Sequence, residues 1–348
     1  MQQRSPHILS YAGIAPVFAT PPAHAGVGSA VLGRVTIGRG AWLGALSVIR
    51  ADGHYVRVGD DFRLGPRSTL HINHEIFPCI VGDRVTVGRN ACVHACTVGS
   101  DVVIGDRVVI LDGAVVEDGV VLGDGATVFP NKRVGAGFLY EGSPAKPVRA
   151  LEAGEVARRR EEAARGSDDE PAAPRAAPGP GSSVHASVFI APSATVRGRL
   201  VAAEASSIWY SNVFDAGEAA IEIGANTNVQ DNTHIRCSAG RGVIIGANST
   251  VGHNVTMADC VIGERSLIGI GSTVAEGTVV GDGVLLAAAA RTTPGQVLES
   301  GWLYAGSPAR RFARLDEAKQ ALTALIVQQY CQYARDFNAL EHRVQAAR

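Results

Sequence analysis

The chain has 348 residues, 46% of them hydrophobic but only 5% aromatic, so a core must be built from Val, Ile, Leu and Ala rather than from rings. Lys+Arg 32 against Asp+Glu 33 leaves a formal net charge of −1, which excludes a broad electrostatic footprint for nucleic acid or acidic lipid. No basic segment precedes an apolar run between Met1 and Pro16, and six cysteines are too sparse for a disulfide framework; a cytoplasmic chain with reduced thiols is expected.

In chain order, residues 1–150 form the first predicted unit. Val98, Ile104, Ile110, Val116, Leu122 and Val128 recur every six residues, and many such positions are followed by Gly, as in Ile104-Gly105. A period of six fits neither a helix at 3.6 nor a strand at 2. It fits a solenoid in which each face of a triangular coil takes one short strand and one turn, with the aliphatic residue inward and glycine serving the turn at positive φ. Three hexads make a coil of about 18 residues. Residues 151–183 follow as a short charged helix, Leu151 to Arg165, and a Pro/Gly/Ala-rich flexible linker, Gly166 to Ser183.

Residues 184–312 repeat the first unit. Phe138-Leu139-Tyr140-Glu141-Gly142-Ser143-Pro144-Ala145 returns as Trp302-Leu303-Tyr304-Ala305-Gly306-Ser307-Pro308-Ala309, an offset of 302 − 138 = 164. Earlier the offset is 223 − 58 = 165, so one residue of length differs between Ile72 and Gly88. The hexads reappear at Ile262, Ile268, Val274, Val280 and Leu286. Residues 313–348 close the chain with a predicted helix, whose apolar stripe runs Leu322, Ile326, Tyr330, Tyr333, Phe337, Leu340 and should lie along a solenoid flank. The fold expected is an all-β solenoid: two left-handed parallel β-helix units with a long C-terminal α-helix.

The hexads, the Gly-Ser-Pro-Ala exits and the trailing helix resemble the γ-class carbonic anhydrases, twice over, across nearly the whole chain. In that family three units assemble around metal sites, with two histidines from one unit and a Gly-His histidine from its neighbour. Neither copy carries the full pattern. The first has Arg50-Ala51-Asp52, His71 and Val93-His94-Ala95-Cys96, but Arg63-Leu64-Gly65-Pro66 where Asn-Ile-Gln-Asp is expected, and Gly88-Arg89 in place of Gly-His. The second has Thr227-Asn228-Val229-Gln230-Asp231 and Gly252-His253, but Asp215-Ala216-Gly217, Arg236 and Met257-Ala258-Asp259-Cys260 at the other positions.

His71 and His94 each follow an inward aliphatic residue, and 94 − 71 = 23 equals one coil plus an excursion of about five residues, so they should stack on one edge. The resemblance then implies one composite site, His71, His94 and His253, with an open fourth position suited to catalytic zinc; iron or cobalt also suits three imidazoles. The opposite combination, Arg89 with Arg236 and Ala258, cannot hold a cation.

The reaction implied is reversible hydration of carbon dioxide to bicarbonate by zinc-bound hydroxide, a carbonate dehydratase (lyase) activity. Asn228 and Gln230 would orient hydroxide and substrate, and Arg50, Asp52 and Asp231 would form a charge cluster with a structural share in its role. His74 and Glu75 on the excursion are candidate proton shuttles. His54, His185, His234 and His342 match no ligand position. Cys92, Cys96 and Cys260 read as small buried hydrophobes, with Cys79 the one thiol expected to be exposed. Two other functions fit the same repeat: a non-catalytic scaffold subunit, and a hexapeptide acyltransferase or thioester hydrolase. No nucleic acid or membrane partner is expected. The assembly would be a homo-oligomer of trimer-like rings or a hetero-oligomer with another β-helix subunit.

Overall fold

The computed structural model describes residues 5–165, 177–238 and 240–346, and the chain divides into two compact units, Met1–Ala172 and Ala173–Arg348. Of the expected linker, residues 166–176 lie outside the described residues. Each unit is a left-handed parallel β-solenoid.

In the first unit the hexads become three columns of in-register inward residues, one per face and aliphatic except for Tyr140. Ile49, Leu70, Val93, Ile110 and Val128 form one column. Val58, Val81, Val98, Val116 and Val134 form the second. Leu43, Leu64, Val87, Ile104, Leu122 and Tyr140 form the third. All are buried in a single core. Each aliphatic side chain withdrawn from water contributes about 1.5–3 kcal/mol, and parallel pairing repeats the gain coil after coil. The strand Val48–Val58 rounds a corner: its start pairs with Thr69–His71 and its end with Cys79–Val81. That corner carries Arg50 and Asp52.

The glycines after the inward residues do a different job from the one expected. Gly105 and Gly263 do not adopt positive φ; that conformation falls two residues later, at Arg107 (φ 56°) and Arg265 (φ 53°). Glycine is needed because the next coil passes too close. A Cβ on Gly105 would lie 2.5 Å from Asp124 Oδ1, and one on Gly263 would lie 2.7 Å from the Asp282 nitrogen.

Both units end alike. Phe138–Glu141 and Trp302–Ala305 each turn back into an antiparallel strand, Lys146–Ala150 and Arg310–Arg314, and both Ser-Pro bonds in the turns are cis. In the first unit α1 (Glu155–Arg165) follows, and Leu151 and Val156 pack on Val103, Val121 and Leu139. Glu155 anchors it, accepting from Arg149 at 2.7 Å, from Arg159 at 2.9 Å and from the Glu152 backbone N–H at 3.0 Å.

In the second unit α2 (Glu317–Ala346) lies on the face made by Phe189–Ile190, Ser207–Ile208, Asn228–Val229 and Thr250–Val251. Trp209 meets Tyr330 and Phe337 edge-on at ring separations of 5.2 and 5.3 Å. The buried stripe runs through Thr323, Val327, Tyr330, Ala334, Phe337 and Glu341. Leu322, expected on it, is instead 48% exposed, because the helix turns Thr323 and Val327 inward over its first turns. Tyr210 Oη donates to Glu341 Oε1 at 2.5 Å. Cys79, expected to be exposed, is fully buried; it starts the strand Cys79–Val81 with its side chain inside the solenoid. Among the described residues no helix is long and apolar enough to cross a membrane.

Candidate functional site

In the first unit, four successive coils contribute to one edge. Arg50 and Asp52 come from the corner strand, His71 from Thr69–His71, His94 from Cys92–His94, and Asp112 from the turn after Val109–Ile110. His71 and His94 are register partners, as their shared place after Leu70 and Val93 predicts. Their rings are tilted by 41° with centroids 5.2 Å apart, and His71 Nδ1 stands 3.2 Å from His94 Nε2.

Each ring's outer nitrogen faces a carboxylate. His71 Nε2 is 3.2 Å from Asp52 Oδ1, and His94 Nδ1 is 2.6 Å from Asp112 Oδ1. A carboxylate accepts, so with each outer nitrogen donating to its aspartate the two inner nitrogens face each other across 3.2 Å. Two such nitrogens can share a proton as N–H···N or ligate one cation between them. Two nitrogens held tetrahedrally at about 2.0–2.1 Å from zinc are about 3.3 Å apart, close to the observed spacing, and the carboxylate behind each ring is the usual support of metal-binding imidazoles. The donor set therefore suits a divalent ion.

Arg50, fully buried, ion-pairs with Asp52 and so holds the carboxylate that orients His71. Burial raises the Asp112 acid, but the adjoining His94 ring and the Asn73 amide outweigh it, leaving its pKa below the ordinary carboxylate value. Asn73 Nδ2 donates to Asp112 Oδ2 at 2.6 Å. Asp112 and Asn73 were not anticipated as site residues. The signal was available: Asp112 falls 18 residues after His94, one coil further along the same edge.

The second unit, taken alone, has a different set. His253 is fully buried on the turn after Thr250–Val251, its Nδ1 3.2 Å from Asp231 Oδ2. The Tyr210 backbone N–H donates to Asp231 Oδ1 at 3.0 Å. Gln230 Nε2 donates to Asn228 Oδ1 at 3.2 Å, and Asn228 Nδ2 donates to Thr250 Oγ1 at 2.9 Å. In the register that would hold stacked histidines, Asp215 pairs with Arg236 and Arg236 with Ala258, so this edge offers no metal-binding nitrogen. In the first unit Arg63 takes the position of Asn228 and its Cζ lies over Trp42, 3.4 Å from the ring centroid.

The remaining candidates lie elsewhere. His54 Nδ1 accepts from the Tyr55 backbone, His185 pairs with Ser187 on the surface, and His342 is exposed on α2. His74 and Glu75 lie on the excursion with side chains 3.9 Å apart. Burial pushes the Cys260 thiol up to about 12, so it stays protonated and is a poor metal ligand.

Two family descriptions match segments of the chain: "Bacterial transferase hexapeptide (six repeats)" over residues 95–130, and "Hexapeptide repeat of succinyl-transferase" over residues 260–289. Among curated relatives, Protein YrdA of Escherichia coli (strain K12) is 42% identical over 129 residues, spanning 35% of this chain and 70% of that protein. Gamma carbonic anhydrase 1, mitochondrial, of Arabidopsis thaliana is 32% identical over 136 residues, 37% of this chain and 49% of that protein. Among solved structures, a hexapeptide transferase family protein from Anaplasma phagocytophilum matches at 32% identity with a TM-score of 0.43, covering 44% of this chain and 91% of that one.

Proposed function

The chain belongs to the γ-class carbonic anhydrase-like hexapeptide-repeat proteins, and from that membership we propose that it is a metal-dependent enzyme hydrating carbon dioxide reversibly to bicarbonate. One composite centre would do the work, with His71 and His94 from the first unit and His253 from a second unit of this chain or of another. The observation that carries this reading is the 3.2 Å approach of His71 Nδ1 and His94 Nε2 with a carboxylate behind each ring. A third supported imidazole, His253 on Asp231, belongs to the unit that has lost the stacked pair.

A bound zinc ion, or iron or cobalt, would supply hydroxide from water near neutral pH. Asp52, 3.2 Å from His71 Nε2, would keep that ring in the tautomer that turns a lone pair to an ion, and Asp231, with Oδ2 3.2 Å from His253 Nδ1, would favour the same in His253 by its charge. Arg50 holds Asp52 in place through their buried ion pair. Gln230, fixed through its amide nitrogen, offers its carbonyl oxygen to orient the attacking group, while Asn228 sets the angle of that amide. Glu75 and His74, on the excursion that Asn73 ties to Asp112, would pass a proton to solvent. All six cysteines are free thiols, which suits a cytoplasmic, reducing setting. Rings of three units, from this chain or shared with another β-helix subunit, are the assembly that fits a ligand set divided between repeats.

Metal content per chain after metal-replete growth, with stopped-flow carbon dioxide hydration, tests the proposal. One ion per chain and activity lost in His71→Ala, His94→Ala and His253→Ala are expected. A wild-type chain without bound metal favours the scaffold role; turnover of acyl-coenzyme A that survives chelation favours acyl transfer.

A further inference from the structure

We propose that Asp112, with Asn73 behind it, is the positioning residue that decides which nitrogen His94 turns inward. The inference rests on the metal-centre reading above and adds to it a residue outside the family pattern read in the sequence. The two oxygens of Asp112 are divided between two tasks. Oδ1 lies 2.6 Å from His94 Nδ1, and Oδ2 accepts from Asn73 Nδ2, also at 2.6 Å. A carboxylate engaged on both sides has little freedom to rotate, so the proton of His94 is held on Nδ1 and the lone pair on Nε2, the atom facing His71.

The backbone around Asp112 is fixed by the coils on either side. The Gly113 N–H donates to the Ala95 carbonyl at 2.8 Å, and the Asn131 N–H donates to the Asp112 carbonyl at 2.9 Å. The carboxylate is thus aimed by the solenoid itself. Asn73 opens the excursion, and its carbonyl accepts from the backbones of Ile76 and Phe77 at 3.1 and 3.2 Å. The segment carrying His74 and Glu75 is therefore tied to the same carboxylate that orients His94. With Asp112–His94, all three candidate ligands have one aspartate each, alongside Asp52–His71 and Asp231–His253.

The test combines nitrogen-15 NMR of the histidine tautomers in the metal-free full chain with cobalt(II) affinity by chelator competition. Wild type should show His94 protonated on Nδ1. Asp112→Ala should lose that tautomer and bind cobalt about 10- to 100-fold more weakly. Asn73→Ala should keep the tautomer and lose less affinity. Asp112→Asn with Asn73→Asp should recover both readouts, since the amide oxygen still accepts from His94 and the amide nitrogen donates to the new carboxylate. If Asp112→Ala does not fold, Asp112→Asn alone gives the same two readouts, with an intermediate loss expected. An unchanged tautomer and affinity in Asp112→Ala, or an Asn73→Ala loss equal to it, overturns the proposal. A wild-type chain that takes up no cobalt overturns the metal-centre reading only; the tautomer of Asp112→Ala still decides whether Asp112 orients His94.

Discussion

Asp231 and His253 stand one coil apart in the second unit, with the carboxylate Oδ2 3.2 Å from the ring Nδ1. The other carboxylate oxygen is fixed by the Tyr210 backbone N–H, so the charge of the aspartate is held beside the His253 ring. Asp231→Asn should weaken divalent-metal affinity by about 10- to 100-fold, the range for groups that support a ligand. His253→Ala, which removes the ligand itself, should cost more than that. Competition with a chromophoric chelator ranks the two; equal affinities for both variants and wild type would remove His253 from the centre.

The close approach of coils predicts unequal costs at two glycines. Gly263→Ala would press its Cβ on the backbone of the next coil, 2.7 Å from the Asp282 nitrogen. It should cost at least the upper end of the about 1–3 kcal/mol typical of overpacking. Gly283 has φ +60° but nothing within 4 Å of its Cβ position, so Gly283→Ala should cost only about 1–2 kcal/mol of left-handed strain. Urea denaturation of both variants measures the order.

Tyr210 links the solenoid to α2 through its hydrogen bond to Glu341. Tyr210→Phe leaves a buried carboxylate short of a donor and should destabilise the second unit by about 1.5–3 kcal/mol. Hydrogen exchange along α2 should speed up near Glu341 first, with the aromatic contacts around Trp209 and Phe337 lost later.

Glu155 predicts an acid-sensitive α1. The Arg149 guanidinium, then the Glu152 backbone N–H and Arg159, hold its pKa well below the ordinary carboxylate value, against burial. A folded-state pKa below the unfolded one, near 4.3, stabilises fully above about pH 5 and loses that stabilisation as pH falls through the folded value. Wild-type α1 should therefore loosen below about pH 4. Glu155→Gln should be weaker at pH 7 and flat across that range, as read by exchange rates in α1.

The six-residue period made the inward columns legible, because each aliphatic residue repeats a place defined only by its own coil. Val98, Ile104 and Ile110 are buried in the three columns that the spacing implies. The stacking of His71 on His94 was legible for the same reason. What escaped depends on neighbours one coil away. The role of Gly105 is set by Asp124, and the role of Asp112 by His94 and Asn73. The phase of α2 at Leu322 was set by the solenoid face beneath it, which favoured Thr323 and Val327.

The return strands Lys146–Ala150 and Arg310–Arg314 have a consequence for solubility. A parallel solenoid that simply stopped would present an open ladder of N–H and C=O groups to any similar coil, inviting end-to-end growth into fibres. The reversed strand pairs the last parallel one within the same molecule and becomes a short antiparallel edge out of register with a further parallel coil. The edge it leaves outward bears arginines, Arg149 in one copy and Arg310, Arg311 and Arg314 in the other, with Arg149 held by Glu155 and Arg311 by Glu299; charged side chains on an edge strand oppose pairing with another chain.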